Sequence, residues 1–165
     1  MLSTLRAACL TLPFLLGAAP ALSQEKDWVQ AKGTVILADV ICAEISPRRG
    51  WQRLWISGLY QPWLSVRDNQ EGWSVDDARY ARVGAAGHRG ADARALEPYA
   101  QYKYHSNVAF GALLLRVPSK PGVVLSFNKD GVDYQLGAQE WVDFRINDTG
   151  QGDNGGVLSL CVEED

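Results

Sequence analysis

Residues 141–146 read Trp-Val-Asp-Phe-Arg-Ile, and this alternating stretch is the clearest indication of the fold class. In an extended chain, alternate side chains point to opposite faces, so the valine, the phenylalanine and the isoleucine share one face. Asp143 and Arg145 share the other face. The alternation predicts a β-strand over 140–146 that turns one apolar side toward a core.

Further strand-like runs lie on both sides of this segment and are separated by turn residues. The other predicted strands cover 34–42, 63–67, 110–117, 123–127, 132–136 and 157–162. The run 110–117 is almost continuously apolar, as in a strand buried on both faces, and 128–131 predicts a hairpin turn. Helical periodicity is confined to 91–96. The series predicts a single all-β domain built as an antiparallel β-sandwich.

The composition is typical of one globular domain. Of the 165 residues, 47% are apolar and 21% are charged, which excludes a disordered, collagen-like or coiled-coil chain. The net charge is −3 and the sequence has no basic cluster, so we expect no binding to nucleic acid. Beyond the N-terminal region, no segment approaches the roughly 18–20 apolar residues of a membrane helix. We therefore also expect no insertion into a membrane.

The N-terminal region has the pattern of a secretory signal peptide. Arg6 supplies the positive charge, 7–19 is an apolar stretch too short to span a membrane, and small residues follow at 19–23. Cleavage after Ser23 would leave a mature domain over 24–165. The predicted location is therefore secreted or periplasmic.

Two cysteines, Cys42 and Cys161, remain in the mature region, and each lies within a β-like run. An even pair in an oxidising compartment predicts one disulfide bond. The alternative is a pair of buried free thiols.

The segment 147–156 is chemically unusual, because it holds two Asp, two Asn and four Gly in ten residues. Ca²⁺ binds oxygen atoms from carboxylates, amides and main-chain carbonyls, and glycines allow such atoms to converge. Asp148, Asp153 and Asn154 are candidate side-chain ligands, with a carbonyl near Gly150 as a fourth. The alternative interpretation is a plain turn, which has a similar composition.

Several motifs occur in an order that resembles the PA-IL (LecA-type) family of calcium-dependent galactophilic lectins. They are Gly111-Ala112-Leu113 at the start of an apolar strand, Ile146-Asn147-Asp148 at the end of another, and Asp153-Asn154-Gly155-Gly156 before the last strand. Upstream, 64–66, 72–74 and 84–87 resemble further elements of that family. The resemblance implies a jelly-roll-like β-sandwich that holds a galactose-like sugar through one Ca²⁺.

Carried over by position, the resemblance implies five metal ligands: Asp148, Asp153, Asn154, Gly150 and Asp76. Gly150 and Asp76 would contribute main-chain carbonyls. The sugar contacts would be Asp148, Thr149, Asp153 and His88. This chain departs from the family in a connection two residues shorter after Asp148, an Asp in place of the first Asn of the pair, and a longer 87–111 stretch.

The expected function is calcium-dependent carbohydrate binding without catalysis. Two alternatives stay open at this point. One is a structural or interaction domain in which the ion only stabilises the 148–156 loop or is absent, and the other is a hydrolase that uses Asp76 or Asp77 with the loop carboxylates. The tyrosines of the 80–104 region would form an aromatic wall for a sugar, or would pack as a plain insertion. The resemblance also allows an oligomer.

Overall fold

The structure is a computed structural model, and it describes residues 28–36, 40–56, 62–67, 72–117, 125–126, 134–136 and 141–164. The predicted signal peptide (1–23) and the predicted hairpin turn (128–131) lie outside these residues. Among the described residues, no helix is long and apolar enough to cross a membrane.

Nearly all regular structure in these ranges is β-strand, so the predicted all-β class is confirmed. The strands are β1 (Trp28–Gln30), β2 (Lys32–Ile36), β3 (Val40–Ile45), β4 (Trp51–Trp55), β5 (Pro62–Arg67), β6 (Trp73–Ser74), β7 (Leu113–Arg116), β8 (Leu125–Ser126), β9 (Tyr134–Gln135), β10 (Trp141–Ile146), β11 (Gly155–Gly156) and β12 (Leu158–Glu164). The expected helix is α1 (Gly90–Leu96), and a 3₁₀ helix (Glu97–Tyr102) follows it.

The strands form two five-stranded sheets and one short ribbon. The first sheet has the order β1-β4-β10-β7-β8, the second has β2-β3-β12-β5-β9, and the ribbon pairs β11 with β6. Between the strands that the structure describes, the pairings are antiparallel except that of β1 with β4, which is parallel and departs from the wholly antiparallel prediction. Buried apolar side chains of both five-stranded sheets belong to one hydrophobic cluster. A sandwich requires such a shared core, and the sandwich arrangement itself stays a prediction.

The alternating stretch 141–146 forms β10, which pairs antiparallel with β4 on one side and β7 on the other. Its three apolar side chains are fully buried, as the alternation predicts. The opposite face is also buried, which the sequence did not indicate. There Asp143 lies directly opposite Arg53 and Arg116, whose Nε atoms are 2.6 and 3.0 Å from its carboxylate oxygens. Pairing with two guanidinium groups allows the carboxylate to be buried.

The predicted disulfide is confirmed. Cys42 in β3 and Cys161 in β12 are directly opposite residues of the antiparallel pair, and their sulfur atoms are bonded. The bond closes a sequence separation of 119 residues. Such bonds persist in oxidising compartments, so the bond is consistent with a location outside the cytosol.

The strand predicted over 110–117 begins three residues late, at Leu113. Gly111 adopts φ 72°, a left-handed conformation that a continuous strand does not use. Main-chain hydrogen bonds instead join the Phe110 carbonyl to His88 and the Ala112 carbonyl to Asn147. Leu113, Leu114 and Leu115 are fully buried, which agrees with the predicted burial on both faces.

Candidate functional site

The unusual loop begins where β10 ends and runs to the β6–β11 ribbon. The ribbon requires close approach of two main chains, because a Cβ at Gly156 would lie 2.2 Å from the Gly72 carbonyl oxygen. This pairing carries the segment after β6 to the loop, where the Asp77 N–H donates to the Asp153 carbonyl at 3.1 Å. The Asp76 region and the loop are therefore brought to one place, as the lectin resemblance implied.

A second segment reaches the loop from the other side. The side-chain Oδ1 of Asn147 accepts from the His105 N–H at 2.8 Å, and its Nδ2 lies 3.0–3.1 Å from the carbonyls of His105, Val108 and Ala109. The next residue but one, Thr149, donates its N–H and its hydroxyl to the Tyr102 carbonyl at 2.7 and 2.8 Å. These bonds hold the 102–109 segment against the loop.

Asp148 is the buried carboxylate of the site. It is only 4% exposed, and its Oδ1 accepts a hydrogen bond from the Gly150 N–H at 2.9 Å, which closes a local turn. Burial raises the pKa of Asp148 to about 6, while the Gly150 N–H, the Asn154 amide and Arg145 lower it and Asp153 raises it. A carboxylate with this environment gains from a nearby cation.

Asn154 is a buried amide that hydrogen-bonds to the Asp148 carboxylate. Its side chain is fully buried, and its Nδ2 donates to the Pro47 carbonyl at 2.9 Å. A carbonyl only accepts hydrogen bonds, so the atom facing Pro47 must be the Nδ2, and this fixes the orientation of the amide. Among the described residues, no hydrogen-bond donor pairs with the opposite atom, Oδ1. A buried polar atom without a partner is costly and calls for a ligand or a water.

A cavity of about 280 Å³ opens beside these residues. Acidic groups, aromatic rings and apolar side chains together form its wall. The lining residues are Val75, Asp76, Arg79, Tyr80, Leu96, Tyr99, Tyr102, Phe110, Asp148, Gly150 and Asp153. Four of the five predicted metal residues thus line one cavity, and the fifth, Asn154, lies beside Asp148.

Two of the predicted metal and sugar contacts are not arranged as expected. The carbonyl of Asp76, which the resemblance assigned to the metal, already accepts hydrogen bonds from the Arg79 and Tyr80 N–H groups and from the Ser74 hydroxyl. Local turn formation explains this, because three donors lie within four residues of that carbonyl. The carboxylate of Asp76 is instead 3.3 Å from the Arg79 Nε.

His88 does not line the cavity. It is only 1% exposed, its Nε2 lies 3.5 Å from the Val75 N–H, and its ring packs edge-on against Tyr80 at 5.7 Å. Burial lowers the pKa of His88, and the carboxylate of Asp92 partly offsets that effect. The structure therefore places His88 behind the aromatic wall rather than on its surface.

The donor set suits a hard cation. Within the ranges that the structure describes, no three His, Cys, Asp or Glu side chains converge as a metal-ligand cluster. The oxygens of Asp148, Asp153, Asn154 and the Gly150 carbonyl include carboxylate, amide and main-chain oxygens, which is the mixture of ligands that Ca²⁺ takes. The unpartnered Oδ1 of Asn154, whose amide hydrogen-bonds to the buried Asp148, is the observation that favours such a cation.

The role of Arg145 at the site and the place of three apolar residues in the cavity wall were not predicted from the sequence. Arg145 follows the alternation of a solvent-facing strand position, yet its guanidinium is buried and donates from Nη2 to the Asp148 carbonyl at 2.9 Å. Val75, Leu96 and Phe110 come from three separate segments, and no local pattern places them together. The tyrosines of the insertion were the one sequence signal for this wall.

Comparisons with known proteins give no assignment: no protein-family model, curated protein or solved structure matches this chain. The resemblance to calcium-dependent lectins therefore stays a prediction from sequence motifs.

Proposed function

We propose that this chain binds Ca²⁺ at the cavity beside Asp148 and, through that ion, a carbohydrate, without catalysing a reaction on it. The observation that carries the proposal is the pair formed by the buried Asp148 carboxylate and the unpartnered buried Oδ1 of Asn154. The Gly150 N–H and the Asn154 amide already donate to the Asp148 carboxylate, but the Asn154 Oδ1 is left without a partner. A divalent cation that contacts the carboxylate and that Oδ1 offsets the remaining cost of burying both oxygens.

The proposed ion is held by Asp148, Asp153 and Asn154, with the Gly150 carbonyl as a main-chain ligand. Two of these residues are charged, so the site offers two negative charges to a divalent ion. When bound, the ion supplies open coordination positions that two neighbouring sugar hydroxyls can occupy. Asp153 is exposed at the cavity rim and is placed to accept a hydrogen bond from such a hydroxyl.

The aromatic wall supports a carbohydrate as the ligand. Tyr99 and Tyr102 are 43% and 49% exposed and line the cavity together with the half-buried Tyr80. A sugar ring has an apolar face of C–H groups and a polar rim, and tyrosine offers an apolar ring with a hydroxyl. The cavity volume of about 280 Å³ is near the lower end of the roughly 300–1,000 Å³ of small-molecule sites.

A glycan array tests this proposal directly. Incubation with Ca²⁺ is expected to give binding to a defined set of glycans, and chelator is expected to abolish it. The double variant Tyr99→Ala/Tyr102→Ala should lose glycan binding but keep the Ca²⁺ affinity, since neither tyrosine is a proposed ligand. Glycan binding that persists in chelator would contradict the proposal.

A second candidate is a structural domain, and one observation favours it. The chain itself already holds the loop, because Arg48, Asp77 and Arg145 each donate to a main-chain carbonyl of the 148–154 segment. In that case Ca²⁺ would at most raise the melting temperature, by mass action on the folded state. An array without any calcium-dependent glycan, combined with measurable Ca²⁺ binding, would favour this candidate.

The proposed location is the periplasm or the exterior of the cell. The disulfide between Cys42 and Cys161 supports an oxidising compartment. Fractionation of the producing cells tests the location, and recovery in the cytosolic fraction with both thiols free would overturn it.

A further inference from the structure

Arg145 projects from β10, one residue before the strand ends, and its guanidinium lies in a corner formed by two aromatic rings. The guanidinium carbon is 4.1 Å from the ring centroid of Tyr104 and 5.6 Å from that of Trp51. The two rings meet edge to face, with centroids 5.4 Å apart. Only 7% of Arg145 is exposed. A planar delocalised cation is suited to such a corner, and a lysine ammonium is not.

The buried guanidinium is directed at the backbone of the proposed metal loop. Its Nη2 donates to the Asp148 carbonyl at 2.9 Å, and its Nε donates to the Ile146 carbonyl at 3.2 Å. Two bonds from one rigid fork hold two carbonyls of the chain on either side of Asn147. The carboxylate of Asp148 belongs to the same residue as one of these carbonyls, so the fork restricts where that carboxylate points.

The charge of Arg145 acts in two opposite directions at the site. It lowers the pKa of Asp148 and so favours the ionised carboxylate, but it also repels a cation held nearby, and burial of the guanidinium has a cost of its own. The two hydrogen bonds and the aromatic corner add a geometric effect that does not depend on this balance.

We propose that Arg145 is a positioning residue for Asp148: held between Tyr104 and Trp51, it fixes the backbone at Asp148 so that the carboxylate is ready for the cation. The part of this inference that concerns Ca²⁺ rests on the proposed function, whereas the effect on the loop does not. Tyr104 becomes part of the same device, although it does not line the cavity.

The chain offers a matched control in Arg116. Its guanidinium carbon lies 4.4 Å from the same Trp51 ring, but its Nε pairs with Asp143 rather than with the loop. Arg145→Lys and Arg116→Lys both keep the positive charge and both remove a guanidinium from Trp51. Only the first removes the bonds to the Ile146 and Asp148 carbonyls and the contact with Tyr104, so a difference between the variants reports on the fork and its Tyr104 wall rather than on Trp51.

The first measurement is residue-level amide hydrogen exchange of the protein in chelator. The Thr149 N–H, bonded to Tyr102, reports on the loop, and the Val83 N–H, bonded to the Trp73 carbonyl away from the fork, is an internal reference. We expect Arg145→Lys to reduce protection of Thr149 by about tenfold or more and to leave Val83 nearly unchanged. Arg116→Lys should leave both amides near their original protection.

The second measurement is the Ca²⁺ affinity by calorimetry. Residues that orient a metal ligand without touching the metal typically change affinity by about 10–100-fold, and we expect a loss in that range for Arg145→Lys. Tyr104→Leu removes one wall of the corner, and the exposed position of this ring should tolerate the substitution. The variant should lower both the Thr149 protection and the Ca²⁺ affinity, as Arg145→Lys does.

The outcomes separate the two proposals. If the original protein binds no Ca²⁺, the proposed function fails, while the Thr149 exchange still decides the role of Arg145. Unchanged Thr149 protection in both Arg145→Lys and Tyr104→Leu, or an equal loss in Arg116→Lys, would overturn the positioning role.

Discussion

The side-chain amide of Asn147 and the backbone of His105 exchange two hydrogen bonds, with His105 N–H to Oδ1 at 2.8 Å and Nδ2 to the His105 carbonyl at 3.1 Å. An asparagine side chain thus imitates a β-ladder partner for a segment 42 residues away. Through it the insertion that carries the cavity tyrosines is attached to the loop that carries Asp148. The aromatic wall and the acidic loop form one unit for this reason.

Asn147→Ala should destabilise the protein strongly, because Asn147 is fully buried and all its hydrogen-bonding atoms are used. Loss of these bonds removes the acceptor of the His105 N–H and the donor to the Val108 carbonyl, while the His105 and Ala109 carbonyls keep the Val108 and Ala112 N–H groups. We expect a cost of about 2–4 kcal/mol in the free energy of unfolding. Urea denaturation measures this change. A loss well below 1 kcal/mol would show that the insertion is held by other contacts.

Asp148 should make the metal-free protein less stable as pH rises. Its pKa is about 6 when folded and 3.8 in the unfolded reference, so between these values the folded state binds more protons. Stability from this group is therefore present at low pH and is lost as pH rises through about 6, a change of roughly 3 kcal/mol.

Urea denaturation in chelator across this pH range, on the original protein and on Asp148→Asn, isolates the contribution of Asp148. The variant should show a flatter pH dependence, because its amide does not titrate. Identical slopes for the two proteins would contradict the raised pKa. Ca²⁺ binding should also weaken below about pH 6, since the ion then competes with a proton.

The titration of His88 should change the free energy of unfolding in the opposite direction, so that its contribution is lost as pH falls. Burial lowers its folded pKa below the reference value of 6.5, so the unfolded state binds more protons in that window. Stability from His88 is present above pH 6.5 and is lost as pH falls through the lower folded pKa. Asp92→Asn removes the carboxylate 3.7 Å from Nδ1 and should lower the pKa of His88 further, as an imidazole NMR titration would record. A rise in that pKa would contradict the prediction.

Replacing both cysteines by serine should lower stability without changing the fold. The bond closes a separation of 119 residues, and the loss of closure entropy in the unfolded chain is about 4–5 kcal/mol. Equilibrium denaturation of Cys42→Ser/Cys161→Ser measures the loss. Reduction of the original protein should give a similar value, and no change in either experiment would mean that the bond contributes nothing to the free energy of unfolding.

The structural elements predicted from the sequence are those that a pattern of neighbouring residues indicates. Strand β10 follows from strict alternation, α1 from a short helical period before Pro98, and the disulfide from two cysteines in a chain predicted to be exported. Local patterns contain no information on which distant segments meet. The corner around Arg145 joins residues from 51, 104 and 145, so its burial could not be read from an alternation that looked solvent-facing.

In the candidate site, too, features with a local sequence pattern were predicted and features that depend on distant contacts were not. The oxygen-rich loop was visible as composition, and three of its four predicted metal residues line the cavity, as does Asp76. The carbonyl of Asp76 is not available as expected, because Ser74 before it and the turn after it together supply three nearby donors. The position of His88 failed for a tertiary reason, since the ring is packed beneath Tyr80 and next to Val75.

Calorimetric titration of the purified, chelator-treated protein with Ca²⁺ at about pH 7.5 tests the central claim most directly, since Asp148 is ionised there. We expect binding of one ion per chain and a large loss of affinity in Asp148→Asn. We expect no loss of affinity in Asp77→Asn, because the exposed carboxylate of Asp77 pairs with Arg82 outside the cavity lining. Absence of binding in the original protein, or equal binding in Asp148→Asn, would contradict the central claim.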